Sequence, residues 1–421
     1  MKSAVMNKLV ILAVLLMIPF GVRAQYTLED CLSRARENYP AISRYKIIEA
    51  TESYLIGNAN KSYLPQITLS AKGSYQSDVT SVPVVIPGVT IPALSKEQYG
   101  ITLNIDQTIW DGGAVSSAKE EIAAKREADE SELEVELYSI RERVTQIYFG
   151  VLLIDEYLKE LEVLKEDLKR GKSKIEAYIG AGVANSSDLD AFLAEEIAVR
   201  QKEISLLSDR EAYMAMLSRM IGEEVAGEIR LVRPEMVVNN YDMRRPELQM
   251  FENKMSMLDS KKRSLDARNM PKFGLFVQTG YGKPALNMLS NRFEPYYIAG
   301  VRMVWNIGGF YTKANENRLI DLQKSFIQNS SDIFRYNIDL KSAGERARIE
   351  KLDRLLESDG ELVVLRTNLL EAADTKLANG TISASDYLKE LHNLDSARSS
   401  KARREIELLG AINDLKNSLN D

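Results

Sequence analysis

The chain has 421 residues, with 55 basic against 61 acidic side chains, one cysteine (Cys31) and one histidine (His392). A single Cys and a single His exclude a disulfide framework and a Cys/His zinc cluster, and any Ser-His or Cys-His catalytic pairing would rest on His392 alone. The mildly acidic balance gives no electrostatic case for nucleic acid as a partner, while the scarcity of proline among many Leu, Glu, Lys and Ala points to long helices.

Residues 1–24 read as a cleaved secretory signal. Lys2 and Lys8 give a positive start, Leu9 to Phe20 form an apolar run, and Val22-Arg23-Ala24 places small residues before Gln25. The run is shorter than the roughly 20 apolar residues that span a bilayer. Cys31 lies well beyond it, away from where a lipid-modified N-terminal cysteine would be created, and reads as a free thiol packed on a helix. No later apolar stretch approaches the length of a membrane helix. An exported chain of this kind therefore crosses a membrane only with β-strands closed into a barrel.

The mature sequence is an internal twofold repeat, residues 25–221 and 246–421, separated by a short mixed segment at 222–245 that is expected around the middle of the helical body. Each repeat reads helix, strand pair, very long helix, return helix. In the first, Leu28 to Ser62 is helical with a break near Pro40, and strands follow at about 65–77 and 97–109. Ile67, Leu69, Ala71, Gly73 and Tyr75 alternate with Gln66, Thr68, Ser70, Lys72 and Ser74, and Tyr99, Ile101, Leu103 and Ile105 repeat the pattern on the return. Such alternation places one face in oil and the other in water, as in a tilted transmembrane strand of roughly 9 to 11 residues. A soluble two-sided sheet would carry the same alternation. The second repeat has strands at about 271–282, where Phe273, Leu275, Val277 and Tyr281 alternate less cleanly, and at about 295–306, through Tyr297, Ala299, Val301, Met303 and Trp305. The expected lipid-facing set includes Ile67, Leu69, Ile101, Leu103, Leu275, Val277, Val301 and Met303.

Each strand pair ends on a glycine turn, Trp110-Asp111-Gly112-Gly113 or Trp305-Asn306-Ile307-Gly308-Gly309, whose lengths differ by one residue. Long helices are then expected at about 113–178 and 309–376, with return helices at about 186–221 and 385–419. Leu133, Leu137, Ile140, Val144, Ile147, Val151, Ile154, Leu158 and Leu161 alternate by four and three, a heptad repeat that drives a left-handed supercoil. The return helix continues it at Leu193, Ile197, Ile204, Leu207, Met214, Leu217 and Ile221. In the second repeat Leu322, Phe326, Ile333, Tyr336 and Leu340 do the same, followed by Tyr387, Leu391, Leu394, Leu408, Ile412, Leu415 and Leu419. Arg398, Lys401 and Glu405 interrupt that last seam and mark looser or wetter packing. The many carboxylates lie on these heptad helices as solvated faces, with no pair singled out by spacing for catalysis.

The sequence resembles the TolC-type outer-membrane efflux protein family. The likeness is carried by Tyr26-Thr27-Leu28-Glu29-Asp30-Cys31-Leu32, Asn38-Tyr39-Pro40, Tyr63-Leu64-Pro65, the Trp-x-Gly-Gly strand exit and the duplicated hairpin tips at 178–189 and 376–387. It implies a mainly α, α+β fold in which a long antiparallel coiled-coil α-barrel continues into a transmembrane β-barrel, four strands per chain, built by a homotrimer. It also implies an outer-membrane exit duct of a tripartite efflux or type I secretion system, with a periplasmic adaptor (membrane fusion protein) and an inner-membrane transporter as partners, no cofactor, no metal and no catalysis. Physics agrees on the oligomer: four strands cannot close, two chains would give a plugged eight-stranded barrel, and three give a twelve-stranded passage.

By the same resemblance Gly182-Val183-Ala184 and Gly380-Thr381-Ile382 form the adaptor-docking tips, although small residues and Ser186, Ser187, Ser383 or Ser385 as N-caps would equally suit an ordinary helix turn. Acidic residues after the tip glycine line the aperture in the family, and the matching positions are Asp188, Asp190 and Asp386. Lys389 departs from that acidic pattern and raises an Asp–Lys latch as a further expectation. A periplasmic coiled-coil adaptor or scaffold without a pore is the competing reading; it would share the heptads but has no use for four lipid-fit strands.

Overall fold

The computed structural model describes residues 26–80, 94–223, 230–235 and 243–419. The signal segment lies outside the described residues, and so does most of the connecting segment at 222–245. In chain order the elements are α1 (Leu28–Asn38), a 3-10 turn (Pro40–Ser43), α2 (Arg44–Lys61), β1 (Gln66–Tyr75), β2 (Glu97–Trp110), α3 (Ala114–Gly180) and α4 (Ser186–Ile221). The second repeat gives α5 (Pro246–Arg268), β3 (Lys272–Lys283), β4 (Glu294–Val304), a 3-10 turn (Ile307–Gly309), α6 (Phe310–Ala378) and α7 (Ala384–Leu419). With 67 and 69 residues, α3 and α6 are each about 100 Å long at 1.5 Å per residue. Among the described residues no helix is long and apolar enough to cross a membrane.

The chain forms two compact units, one of residues 43–133 with 246–333, the other of residues 1–42, 134–245 and 334–421. In the first, the four strands make one antiparallel sheet in the order β1-β2-β3-β4, with β1 and β4 as open edges. Below it Leu258 and Leu265 of α5 are buried against Ile320 of α6, with Ile327 packed alongside. Ion pairs flank this contact, Arg268 to Glu316 at 2.5 Å and Lys324 to Asp259 at 2.8 Å on one side, Arg263 to Glu120 of α3 at 2.8 Å on the other.

The strand exits explain why their glycine turns differ in length. Asp111 accepts from the N–H groups of Gly113 (3.0 Å) and Val115 (2.6 Å) and so caps α3 directly after β2. Burial pushes its carboxyl pKa up, but these bonds and one from Tyr63 outweigh it and hold the group below its ordinary value. Gly112 takes φ +72° beside Met270, where a Cβ would lie 2.4 Å from the Met270 Cβ. The extra residue of the second exit is spent on the 3-10 turn Ile307–Gly309 that precedes α6.

In the other unit the heptad side chains Leu137, Ile140, Val144, Val151, Ile154 and Leu161 are buried along α3, continuing the register of buried Leu133 at the end of the first. Residue 133 marks the boundary of the two units on that helix. Near the unit's middle Tyr26 and Leu231 form a parallel bridge, and the Val232 N–H donates to Tyr26 O at 3.1 Å. The fully buried Tyr148 places its hydroxyl 2.6 Å from Val232 O and 2.9 Å from Tyr26 O, fastening that segment to α3. Asn38, from the Asn-Tyr-Pro run, donates to the carbonyls of Arg219 (3.2 Å) and Met220 (3.1 Å), closing the C-terminal end of α4 where Gly222 turns left-handed. Cys31 is fully buried on α1, and burial pushes its thiol up to about 12, so it is an inert packing group.

Two sequence expectations change on this evidence. The α7 seam is not loose at Arg398, Lys401 and Glu405: it passes through buried Ala397, Ala402 and Ile406, while Arg398 bonds the buried Asp167 of α3 at 3.2 Å and Glu405 bonds Arg233 at 3.1 Å. Along α4, Met214, Leu217 and Ile221 are buried, but Ile197, Ile204 and Leu207 are 53%, 62% and 49% exposed, and the buried positions nearby are Phe192 and Val199. One apolar stripe of α4 thus serves its own chain and another faces outward.

Candidate functional site

The sheet is one-sided. Ladder pairing sets Ile67, Ile105, Val277 and Ala299 in one row and Leu69, Leu103, Thr279 and Tyr297 in the next. Because side chains alternate with period two, Ile67, Leu69, Ile101, Leu103, Leu275, Val277, Val301 and Met303 all share one face. That face is uncovered in the single chain: Leu69 and Val301 are both 70% exposed.

Aromatic side chains bound this apolar face at both ends. Near the helices Trp110 and Phe273 lie 5.7 Å apart, centroid to centroid, and Trp305 meets Phe310 at 6.4 Å. At the far end Phe293 stacks on Tyr281 at 5.7 Å and on Tyr99 at 6.5 Å. An apolar band between two aromatic girdles is the pattern that the outer surface of a membrane β-barrel carries. The opposite face carries Gln66, Thr68, Ser70, Lys72, Thr102, Asn104, Asp106, Gln278 and Arg302.

The two hairpin tips share a backbone design. Helix α3 ends with Val183 N–H donating to Tyr178 O (2.8 Å) and Gly182 N–H to Ile179 O (3.0 Å); α6 ends with Thr381 N–H to Lys376 O (2.9 Å) and Gly380 N–H to Leu377 O (3.0 Å). Both glycines are left-handed, with φ of 73° and 65°, as this helix stop requires. Val183 is 62% exposed; Gly182, Gly380 and Thr381 are exposed, and Ala184 and Ile382 are half-buried.

Immediately after each tip the return helix opens with a capping box. Asn185 Oδ1 accepts from the N–H groups of Ser187 and Asp188 while Asp188 Oδ2 accepts from Asn185 N–H at 3.1 Å. Ser383 and Asp386 exchange the same pair of bonds, each at 3.1 Å. The caps are therefore Asn185 and Ser383, not Ser186, Ser187 or Ser385. Asp188 and Asp386 are the reciprocal partners of those caps, half-buried and exposed respectively, and Asp190 is exposed. The Ser383 hydroxyl and N–H hold the Asp386 carboxyl below its ordinary value; exposed Lys389 adds a weaker pull and makes no ion pair with it within the chain among the described residues.

Behind the tips the two hairpins share a core. Phe192 and Leu391 are buried with Leu161, Leu164, Leu168, Ile175, Val199 and Tyr387 around them. Lys174 bonds Asp374 at 2.6 Å and Glu195 meets His392 Nε2 at 3.1 Å, so the single histidine is a cross-hairpin contact. Among the described residues no cluster of His, Cys, Asp and Glu could hold a metal ion.

A one-sided sheet bounded by aromatic girdles, in a chain with two helices of about 100 Å each, has the parts of an outer-membrane channel subunit. Residues 31–223 match the family model of the outer membrane efflux protein. Among solved structures it is similar to the outer-membrane channel OprN (17% identity, 93% of this chain and 89% of that chain, TM-score 0.67). It is also similar to the Campylobacter jejuni CmeC outer membrane channel (14%, 93% and 85%, 0.62) and to the open state of the Neisseria gonorrhoeae MtrE outer membrane channel (15%, 93% and 88%, 0.64). No curated protein matches the chain. The fold is thus that of outer-membrane channels, and the matched stretch is that of an outer membrane efflux protein.

Proposed function

We propose that three copies of this chain form a passive exit duct that receives substrate from a periplasmic adaptor and an inner-membrane transporter and releases it outside the cell, with no catalysis of its own. The observation that carries this reading is the four-stranded sheet with one apolar face and two open edges. An open edge in lipid leaves backbone N–H and C=O groups unpaired at several kcal/mol each, so the sheet must be closed by other copies. Three copies give twelve strands and a water-filled interior.

The helices ask for the same partner: Leu322, Phe326, Ile333, Tyr336 and Leu340 of α6 are 53–74% exposed at heptad spacing, as are Ile197 and Ile204 of α4. Such stripes are seams awaiting neighbouring helices. Detergent-extracted protein should be a trimer by light scattering and should conduct ions in a planar bilayer; a monomer without conductance would overturn the reading.

Asp188, Asp190 and Asp386 would be gathered around the axis near the periplasmic end, where carboxylates favour cations. Asp188→Asn together with Asp386→Asn should reduce cation preference in single-channel recordings while leaving trimers intact, since Asn keeps an oxygen to accept the cap N–H. Unchanged preference would remove these acids from the aperture. Gly182-Val183-Ala184 and Gly380-Thr381-Ile382 would meet the adaptor. Val183→Asp should leave conductance alone yet cut export at least tenfold, because it adds a charge to a contact built from small apolar groups; normal export would rule the tip out as the docking surface.

A further inference from the structure

Three side chains on the polar face of the sheet form a built device. Arg302 stands on β4 and Asp106 on β2, with β3 between them, so the two backbones are separated by two strand spacings of about 4.8 Å each. Arg302 nevertheless places Nη1 3.0 Å from Asp106 Oδ1 by lying along the sheet. Its guanidinium passes over the Phe276 ring, with Cζ 4.7 Å from the centroid. Phe276 in turn lies flat on Gly300, where a Cβ would come within 2.9 Å of its Cε1. Gly274, paired with Arg302 in the ladder, cannot carry a side chain either, since a Cβ there would lie 2.8 Å from Gln107 O. Glycine backbone, aromatic ring, guanidinium and carboxylate are thus laid against the wall in sequence.

Stability does not account for this arrangement. Arg302 and Asp106 are 53% and 45% exposed, and an ion pair standing in water contributes at most about 1 kcal/mol. In a closed barrel the polar face is the lumen, so three copies would place six full charges around the passage. We propose that Asp106, Phe276 and Arg302 form a charge-balanced lumenal ring that keeps the β-barrel from favouring either sign of ion: Asp106 cancels the charge that Arg302 shows to permeating ions, and Phe276 keeps the guanidinium against the wall and out of the path. The ring rests on the trimeric-channel reading above. It is separate from the tip carboxylates, which belong to the other unit of the chain.

The test is the reversal potential of single trimeric channels under a KCl gradient at low salt, where the Debye length is about 30 Å at 0.01 M and fixed charges are felt across a wide lumen. Asp106→Asn leaves the arginines uncompensated and should shift selectivity toward chloride. Arg302→Gln leaves the carboxylates and should shift it toward potassium. The double variant should return to the wild-type value, as should the reversed pair Asp106→Arg with Arg302→Asp, which restores an opposite-charge contact and serves if a single variant does not assemble. Single variants that conduct with wild-type selectivity, shifts of the same sign, or a reversed pair far from wild type would overturn the ring while leaving the channel standing. Failure of the unaltered trimer to conduct would overturn both.

Discussion

Leu69→Arg is expected to abolish assembly in the membrane, whereas Ser70→Arg, one residue along the same strand, is expected to assemble normally. Leu69 pairs with Leu103 in the row that continues to Thr279 and Tyr297, on the apolar face between the aromatic girdles. Ser70 pairs with Thr102 in the row of Gly280 and Tyr296, on the polar face. An arginine turned to lipid near the midplane costs about 2 to 4 kcal/mol per chain, and a trimer incurs that cost three times. An arginine turned to the lumen is hydrated. The check is the amount of heat-modifiable trimer in the membrane fraction of cells expressing each variant, with conductance recorded for the Ser70→Arg channel. Equal loss at the two positions would mean that the sheet does not have one lipid face and one water face.

Much of this architecture is legible in the sequence because two periodicities are nearly pure. Strict alternation over Gln66–Tyr75 and strict four-three spacing over Leu133–Leu161 need no tertiary knowledge, since each period places its apolar residues on one face of its element. The pattern blurs where a glycine does work that hydropathy does not register. Strand β3 alternates poorly because Phe276 sits on the polar face, and only the bare backbone of Gly300 across the ladder lets an aromatic ring lie flat there.

Alanine misleads in a similar way. The α7 seam reads as broken at Arg398, Lys401 and Glu405 because its members there are Ala397 and Ala402, too small to stand out, while Arg398 is held by Asp167, more than two hundred residues away in sequence. The caps are legible in the sequence: Asn185-x-x-Asp188 and Ser383-x-x-Asp386 are both capping-box patterns, and the neighbouring serines obscure them. What no pattern distinguishes is an apolar stripe that packs within the chain from one that awaits another copy. Leu217 and Ile204 of α4 read alike, yet the first is buried and the second is 62% exposed.

Truncating Phe192 is expected to have the largest effect on the periplasmic hairpins, and its outcome should depend on a glycine across the contact. Phe192 is fully buried, stacked on Tyr387 at 6.1 Å, and its ring fills the space beside Gly171, where a Cβ would stand 2.6 Å from Cε1. Phe192→Ala removes that ring from a core shared by both hairpins and should cost about 3 to 5 kcal/mol. Gly171→Ala alone overpacks the same site and should cost about 1 to 3 kcal/mol, less the small gain of alanine over glycine in a helix. Combined, the two changes should not add: with the Phe192 ring gone, the new methyl has only Tyr387 Cε1, 3.1 Å away, to ease aside and fills part of the cavity, so the double variant should be more stable than the sum of the singles by at least about 1 kcal/mol. Urea unfolding of the detergent-solubilised protein, followed by near-ultraviolet circular dichroism, measures all three. Strict additivity would mean that Gly171 is small for some reason other than admitting the ring. The positive coupling expected here would identify this glycine and aromatic pair as the contact that closes α3 on α4 behind the first tip, the base on which Phe192 stacks against Tyr387 of the other hairpin.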